Sequence, residues 1–520
     1  MCSQRIPRGR RFFLILVMLV IERYVLYGAI DEVLDLIPEL DKDADMTGLG
    51  TFLRVFLFYC VSRIFYPVGG FIADVYMGRC RVIHMSLWFY WIAFALLTVA
   101  HILQGLHNEL HNASVLYTHI LPIAAYVFMI LAAGGFEPTL IPFGADQLEA
   151  AGSNELSSYF YWYYFAIQLG PLLNIFVNSG LSVLLPAQTA DTMQVLATII
   201  VTTCGLVLHK TLEHWYFKNI LRENCIKLVA KVLWYAARVK RRMPQYRRAF
   251  RYGEGKIKRI DLAKRRYDGI FTGNQVEDVK TFCRLCLIIF CLCGYFFSQS
   301  GVVVMMSFRV NATIFTATAN SSNVAFLQSL SPNMFIIVNS ITGLLFVPLV
   351  NHIFIPCLPC VSIKARMAIG MIVNAVAILS AGSIEFSLHS GTMSEPVHTL
   401  LLFIIPTVLI TLPETLTYTS ALEFIYAQSP ESMKGMLTGL FYFTLGIFSG
   451  GSTVLFYLYL RPSSNTWNYA NYYWILLAFS VMGLVAYVIA ATFYVNRRRP
   501  STESEEVEER RLFYNNISMP

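Results

Sequence analysis

The stretch "PVGGFIADVYMGRCRVIHMSLWFY", residues 67–90, joins two long apolar runs through a short segment of acid, turn and base. Asp74, Gly78, Arg79 and Arg81 are crowded between oily flanks. Charged groups are costly in hydrocarbon and are tolerated where they reach water or one another. The segment therefore reads as a tight turn at one membrane face. Gly69 and Gly70 just before it leave room for another helix to approach closely.

The same apolar texture extends along the whole chain. Hydrophobic residues make up 56% and charged residues 14%, against about a quarter charged in soluble domains. Runs of roughly 20 apolar residues recur, each long enough to cross a bilayer as a helix. Lipid offers no partner to the backbone, so helices or a closed barrel are required. Unbroken runs rather than ten-residue alternation select helices. Twelve spans are expected, near 12–30, 50–73, 81–103, 116–141, 158–184, 192–209, 280–307, 332–352, 362–382, 398–427, 435–460 and 470–494.

Charge sets the expected orientation. Residues 210–276 hold 18 of the 40 Lys and Arg, including "RVKRRMPQYRRAFRYGEGKIKRIDLAKRR". Arg497, Arg498 and Arg499 follow the last span, whereas "DEVLDLIPELDKDAD" after the first is acidic. The positive-inside rule places the basic segments and both termini in the cytosol. The sequons at Asn112, Asn311 and Asn320 then fall in loops on the opposite side, as glycosylation acceptors. The basic loop orients the protein; no nucleic-acid partner is read from it. Its stretch "CIKLVAKVLWYAARVKRR" has apolar and basic faces and reads either as a helix on anionic lipid or as a solvated linker helix. The basic N-terminal segment reads as the start of a first span, because no small-residue cleavage site follows it.

The expected organisation is an N-terminal six-helix bundle at 1–209, a basic cytosolic linker at 210–276, a C-terminal six-helix bundle at 277–496 and a disordered tail at 497–520. Six spans, a basic loop and six spans is the plan of the major facilitator fold, an all-α membrane fold of two bundles around a midplane site. The eleven cysteines are odd in number and mostly apolar in setting, so no disulfide framework is read. Cys357 and Cys360 have no second ligand pair at zinc spacing. No nucleotide loop or metal-ligand spacing is found, so no enzyme activity, metal or cofactor is expected.

Several long motifs resemble the proton-dependent oligopeptide transporter family, and in particular its peptide/histidine branch. They are the 67–90 stretch, "GGFEPTLIPFGADQL" at 134–148, "YFYWYYFAIQLGPLL" at 159–173, "VNSITGLLFVPL" at 338–349 and "LPETLTYTSALEFIYAQSPESMKGML" at 412–437. The resemblance runs from about residue 12 to 494. It implies that Asp74, Gly78, Arg79 and Arg81 form a gating cluster that holds one closed state.

Within this resemblance "MLVIERYVLYG", residues 18–28, matches the family's Glu-x-x-Glu-Arg motif in the first span. Glu22 and Arg23 are retained, and Leu19 stands where the first glutamate would be. The motif implies proton coupling: protonating a buried carboxylate releases its arginine and shifts the conformational balance. A permanent structural ion pair is the alternative. Glu137 occupies the position of the family's span 4 lysine. It is expected to pair with Arg23 and to take over part of the missing glutamate's role. Arg63 is a further intramembrane charge, either a partner of this group or a side chain reaching a solvated gap. Glu22, Arg23, Arg63 and Glu137 sum to zero, as burial demands. Phe56 or Leu57 falls near the place of the family's titratable histidine.

For substrate, Glu414 matches the family's span 10 glutamate, which receives an amino group. Tyr24, Tyr27, Gln168, Asn339 and Phe441 are candidate contacts, with helix packing as the alternative for the aromatics. The family's carboxylate-holding arginine and lysine are replaced by Ile30 and Glu137, and Gln299 and Ser300 lie where span 7 often carries an acid. The expected function is proton-coupled symport of small peptides, histidine or related amines by alternating access. The alternatives are a transporter-shaped scaffold or sensor in endolysosomal membranes and a facilitator uncoupled from protons. Tyr514 and Ile517 in the tail fit a pattern read by clathrin adaptors. With the branch resemblance, this gives a lysosomal or plasma-membrane address, with a clathrin or signalling adaptor as an alternative partner.

Overall fold

The computed structural model describes residues 8–35, 60–108, 120–148, 153–216, 224–239, 259–265, 269–318, 333–357, 361–389, 396–460 and 468–496. Asn112, Asn320, Tyr514 and Ile517 lie outside the described residues.

Apolar runs without β-type alternation fold as helices throughout. The first half contains α1 (Arg8–Asp35), α2 (Tyr66–Ile72), α3 (Arg79–Asn108), α4 (Leu121–Asp146), α5 (Ser153–Leu184) and α6 (Ala187–Leu212). Linker helix α7 spans Cys225–Val239. The second half contains α8 (Gly273–Cys291), α9 (Cys293–Thr318), α10 (Met334–Leu349), α11 (Ile363–His389), α12 (Pro396–Pro413), α13 (Thr419–Gln428), α14 (Lys434–Leu460) and α15 (Asn468–Phe493). No strand occurs among the described residues beyond one isolated bridge, Lys264 to Phe271.

Ten helices among the described residues are long and apolar enough to cross a membrane. The other two expected spans differ for separate reasons. Near 50–73 only the part from residue 60 is described. Near 398–427 the helix continues from α12, which ends at Pro413, through a wide π turn over Glu414–Tyr418 into α13, and polar residues Thr411, Glu414, Thr415, Thr417, Thr419 and Ser420 dilute its apolar character. Proline removes one backbone donor and pushes against the preceding turn. Such bulges concentrate at functional sites. Asn311, expected in a loop, lies on α9, because the helix runs on to Thr318 after the apolar run ends near 307. Backbone hydrogen bonding does not stop where lipid stops.

Lipid tails supply no hydrophobic drive between helices, so close backbone approach does the packing. Gly69 lies against the backbone of Gly134 and Gly135 on α4. Gly70 lies against the backbone of Gly435 on α14. Thus α2 is wedged between a helix of its own half and one of the other half. Contacts between the halves run through α2–α14, α4–α14 and α5–α10.

The start of α8 carries a capping box between Thr272 and Gln275. Beside it Lys264 and Lys280 both bind Asp261 and Glu277. Burial works against the Asp261 charge, but hydrogen bonds from Lys264 and Lys280 hold its carboxyl below the usual carboxylate range. This cluster pins the end of the basic loop to α8.

Replacing Gly70 by alanine would drive a methyl group into the α14 backbone. Overpacking of this kind costs about 1–3 kcal/mol. Gly70→Ala therefore lowers the thermal unfolding midpoint of the purified protein, whereas Gly180→Ala, which lies in a helix and meets no neighbouring atom within 4 Å, does not lower it.

Candidate functional site

Three polar groups lie within this helical frame. The first is built on α1. Gly170 of α5 has no side chain, and a Cβ there would strike the Arg23 Cβ and the α1 backbone. Helices α1 and α5 therefore pack at near-backbone contact, which turns Arg23 toward α4. Its Nη2 forms an ion pair with Glu137 Oε1. The Tyr66 hydroxyl donates to Glu137 Oε2 at 2.7 Å. Arg23 Nε lies 3.3 Å from Glu22 Oε2, without the alignment of a hydrogen bond. Glu22 Oε1 accepts only a long 3.5 Å contact from the Tyr90 hydroxyl. Glu22 and Glu137 are sealed from solvent, at 0% and 1% exposure. Arg63 is part-exposed, packs along Gly446, and places its guanidinium 5.9 Å from the centre of the Tyr442 ring. Its charge also acts on Glu137 and Tyr66.

The expected Arg23–Glu137 pairing is thus present in the geometry. Leu19, one turn from Arg23 on α1, is buried among apolar side chains. The two glutamates are held unequally: Glu137 has the closer ion pair to Arg23 and a short hydroxyl contact from Tyr66, whereas Glu22 has a longer 3.3 Å ion pair to Arg23 Nε and a 3.5 Å contact from Tyr90.

The second group surrounds Glu414, the first residue of the π turn. Four neutral donors converge on its carboxylate. The Tyr164 hydroxyl lies at 2.6 Å, Gln299 Nε2 at 3.1 Å, Asn339 Nδ2 at 3.4 Å and Gln168 Nε2 at 3.5 Å. Thr411 Oγ1 donates to Asn339 Oδ1 at 2.7 Å, and Ser340 Oγ to Gln168 Oε1 at 3.2 Å, which fixes both amides. No Lys, Arg or His pairs with Glu414 among the described residues. Unlike Glu22 and Glu137, Glu414 is only part-buried. It is a held carboxylate with reachable surface and no counter-charge.

Gln168, Asn339 and Glu414 are therefore brought together. Tyr164 and Gln299 complete the same shell and were not among the expected contacts. Tyr164 was legible only as part of an aromatic motif, and Gln299 only as the absence of an acid. Phe441 is fully buried among Phe296, Tyr418 and Tyr442. Tyr24 is also in the core, and Tyr27 is part-buried. None of these three makes a hydrogen bond to Glu414.

Tyrosines link the two groups. The Tyr442 hydroxyl lies 2.9 Å from that of Tyr163 and 2.6 Å from that of Tyr418. The Tyr442 ring packs on Tyr66, which holds Glu137, and the Tyr418 ring packs on Tyr164, which holds Glu414. Tyr418 closes the π turn that Glu414 opens.

The third group lies at the turn after α2. Gly78 has φ +86°, a conformation that disfavours any side chain. It lets Asp74 and Arg79 fold back on one another, with Arg79 Nη2 2.8 Å from Asp74 Oδ1. Arg79 Nη1 also pairs with Asp146 at the end of α4. Asp74 Oδ2 accepts the backbone N–H of Gly435 at 2.7 Å and of Met436 at 3.1 Å. It thereby caps the free amides at the start of α14. Asp146 accepts from Tyr426 at 2.8 Å and from Lys434 at 3.4 Å. Arg366 of α11 adds a second bridge, to Glu423 of α13 and to Tyr161 of α5. Helices of the two halves are locked together at this end. Arg81 is exposed. Asp146 and Lys434 sit inside stretches read for their resemblance, but nothing in the sequence placed them opposite one another.

With this geometry in place, comparison with known proteins decides the family. The model of the POT family matches residues 80–475. The chain belongs to the POT family. It is 23% identical to the mouse protein solute carrier family 15 member 3, covering 85% of this chain and 83% of that protein. It is 21% identical to the Arabidopsis thaliana protein NRT1/PTR family 5.14, covering 84% of this chain and 85% of that one. Its fold is similar to that of an auto-inhibited POT family peptide transporter, with TM-score 0.60 and 18% identity over 95% of this chain and 99% of that one. It is also similar to a major facilitator proton:xylose symporter, with TM-score 0.58 and 14% identity over 94% and 97% of the two chains. The chain is thus an all-α multi-pass membrane protein of the major facilitator fold, in a family of transporters rather than enzymes.

Removing one partner of a buried ion pair costs about 3–5 kcal/mol, because the other charge is left alone. Because Glu22 still faces Arg23 at 3.3 Å, Glu137→Gln is expected to destabilise the protein in thermal unfolding by less than that figure. Leu19 and Arg23 share one face of α1, so adding Leu19→Glu to Glu137→Gln supplies a new carboxylate to Arg23 and recovers part of the loss.

Proposed function

We propose that this POT-family chain is a proton-coupled symporter of small peptides, histidine or related amine-bearing solutes, working by alternating access. The observation that carries the reading is the Glu414 carboxylate, gripped by four neutral donors and without a cation among the described residues. Away from bulk water a carboxylate attracts an ammonium group strongly. A substrate amine is the counter-charge this arrangement lacks. The amide shell of Gln168, Gln299 and Asn339 is suited to peptide-like polar groups. The residues that would grip a substrate carboxylate in the family are absent, with Glu137 already committed to Arg23. Amine-rich and cationic solutes are therefore favoured over ordinary zwitterionic dipeptides.

Proton coupling is assigned to Glu22. In its weaker setting its charge is held by the neighbouring Arg23 and by a long contact from Tyr90. Protonation there frees Arg23 from one of two acids and leaves the Glu137 pair intact. The tyrosine group of Tyr66, Tyr442, Tyr418 and Tyr164 then transmits changes between this pair and the substrate carboxylate. Asp74, Arg79 and Asp146 hold the basic face shut in the state described here and must part for release on that side. The positive-inside bias supports cytosolic termini. The tail pattern at Tyr514 and Ile517 supports an endolysosomal or plasma-membrane address, and Asn112 and Asn320 remain the glycosylation acceptors in the opposite loops.

Uptake of labelled histidine and of dipeptides into proteoliposomes tests this reading. An inward acid gradient should stimulate uptake in the wild type. Glu414→Gln should lower uptake of amine-bearing solutes at least tenfold, which corresponds to about 1.4 kcal/mol. Undiminished uptake of an amine-bearing solute by Glu414→Gln would contradict the assignment.

A further inference from the structure

Helix α7 has three distinct faces. Cys225, Val232 and Ala236 are buried, with Leu228, Val229 and Tyr235 part-buried beside them. This face packs on Ala263 of the linker and on Val276 and Val279 in the first turns of α8. A second stripe, Ile226, Ala230, Leu233 and Ala237, is exposed and wholly apolar, and Trp234 at its edge is 57% exposed. Steps of four, three and four residues place this stripe along one side of a helix. A third stripe, Lys227, Lys231 and Arg238, is exposed and wholly basic. The Arg238 guanidinium lies 3.5 Å above the Trp234 ring, at the boundary between the apolar and basic stripes.

An amphipathic helix in a soluble linker needs one buried face and one polar face. Here the buried face is already satisfied by protein, and a second apolar stripe remains beside a row of cations. Tryptophan between the two is the arrangement favoured at a membrane–water boundary. The position agrees. Helix α7 lies beside the opening turns of α8, which enters the membrane, and its Cys225 Sγ is 3.8 Å from Met436 Sδ at the start of α14. Burial pushes the Cys225 thiol up to about 11, so it packs there as a neutral group. The helix is thus fixed at the level of the membrane-spanning ends, on the side of the basic loop.

We propose that α7 is a lipid-docking site. Ile226, Leu233 and Trp234 enter the headgroup–acyl boundary of an anionic leaflet, and Lys227, Lys231 and Arg238 bind its headgroups. The occupant is the surface of the surrounding bilayer. Three cations close to an anionic surface favour docking by well over tenfold relative to a neutral surface.

Hydrogen–deuterium exchange of the full-length protein tests this, in nanodiscs of phosphatidylcholine alone and of phosphatidylcholine with phosphatidylserine. Residues 225–239 should exchange about tenfold more slowly in the anionic discs, and added salt should reduce the difference by screening. In Lys227→Gln/Lys231→Gln/Arg238→Gln the difference should vanish while exchange of α8 and α14 stays at the wild-type level. Leu233→Gln/Trp234→Gln should speed exchange of α7 in both discs. Equal exchange of wild-type α7 in the two lipids would overturn the proposal, and so would a lipid-dependent difference that survives removal of the three cations. Neither outcome depends on transport, so failure here is separable from failure of the symporter reading.

Discussion

The structure depends on one constraint: an arginine placed inside an apolar bundle must be met by carboxylates from the helices around it. Arg23 is met by Glu137 across the α1–α4 contact and by Glu22 beside it. Polar contacts between membrane helices contribute on average about 0.6 kcal/mol, whereas stranding one charge costs several times more. The pair therefore acts less as a source of stability than as a rule against arrangements that separate its members. Packing obeys the same rule. Gly170 brings α5 close enough to α1 to direct Arg23 toward α4, and Gly69 brings α2 against α4, where Tyr66 reaches Glu137.

Glu414 follows the opposite logic. Its carboxylate is held by hydroxyl and amide donors and remains part-open, with no Lys, Arg or His paired to it among the described residues. Pro413 and the π turn create this setting by widening the helix where Glu414 begins and Tyr418 ends the bulge. The tyrosines around Tyr442 then form a chain of hydroxyl and ring contacts between Tyr66, which holds Glu137, and Tyr164, which holds Glu414. At the basic face the two halves are joined by charges and helix-end amides.

Much of this was legible in the sequence. The all-helical membrane fold, the family and the groups around Arg23, Glu414 and Asp74–Arg79 follow from apolar runs, charge asymmetry and long motifs, whereas of the twelve spans expected ten qualify among the described residues. The Arg23–Glu137 pairing could be anticipated because one carboxylate was missing at Leu19 and another had entered at Glu137. What escaped reading is three-dimensional convergence. Tyr164 looked like one aromatic among many on α5, Gln299 like a vacancy on α9, and Asp146 and Lys434 like unrelated charges almost three hundred residues apart. The π turn in the tenth span was foreshadowed by Pro413, but a bulge and a simple kink share that signal. The end of α9 was misplaced because hydropathy marks where lipid ends and backbone geometry decides where a helix ends.

The central claim is that Glu22 accepts the proton while Glu137 keeps Arg23. Infrared difference spectroscopy on acidification of the reconstituted protein tests it most directly, by following the carbonyl stretch of protonated carboxyl groups. The account predicts a protonated-carboxyl band that is lost in Glu22→Gln and persists in Glu414→Gln. A band that survives Glu22→Gln, or none in the wild type across the working pH range, would contradict it.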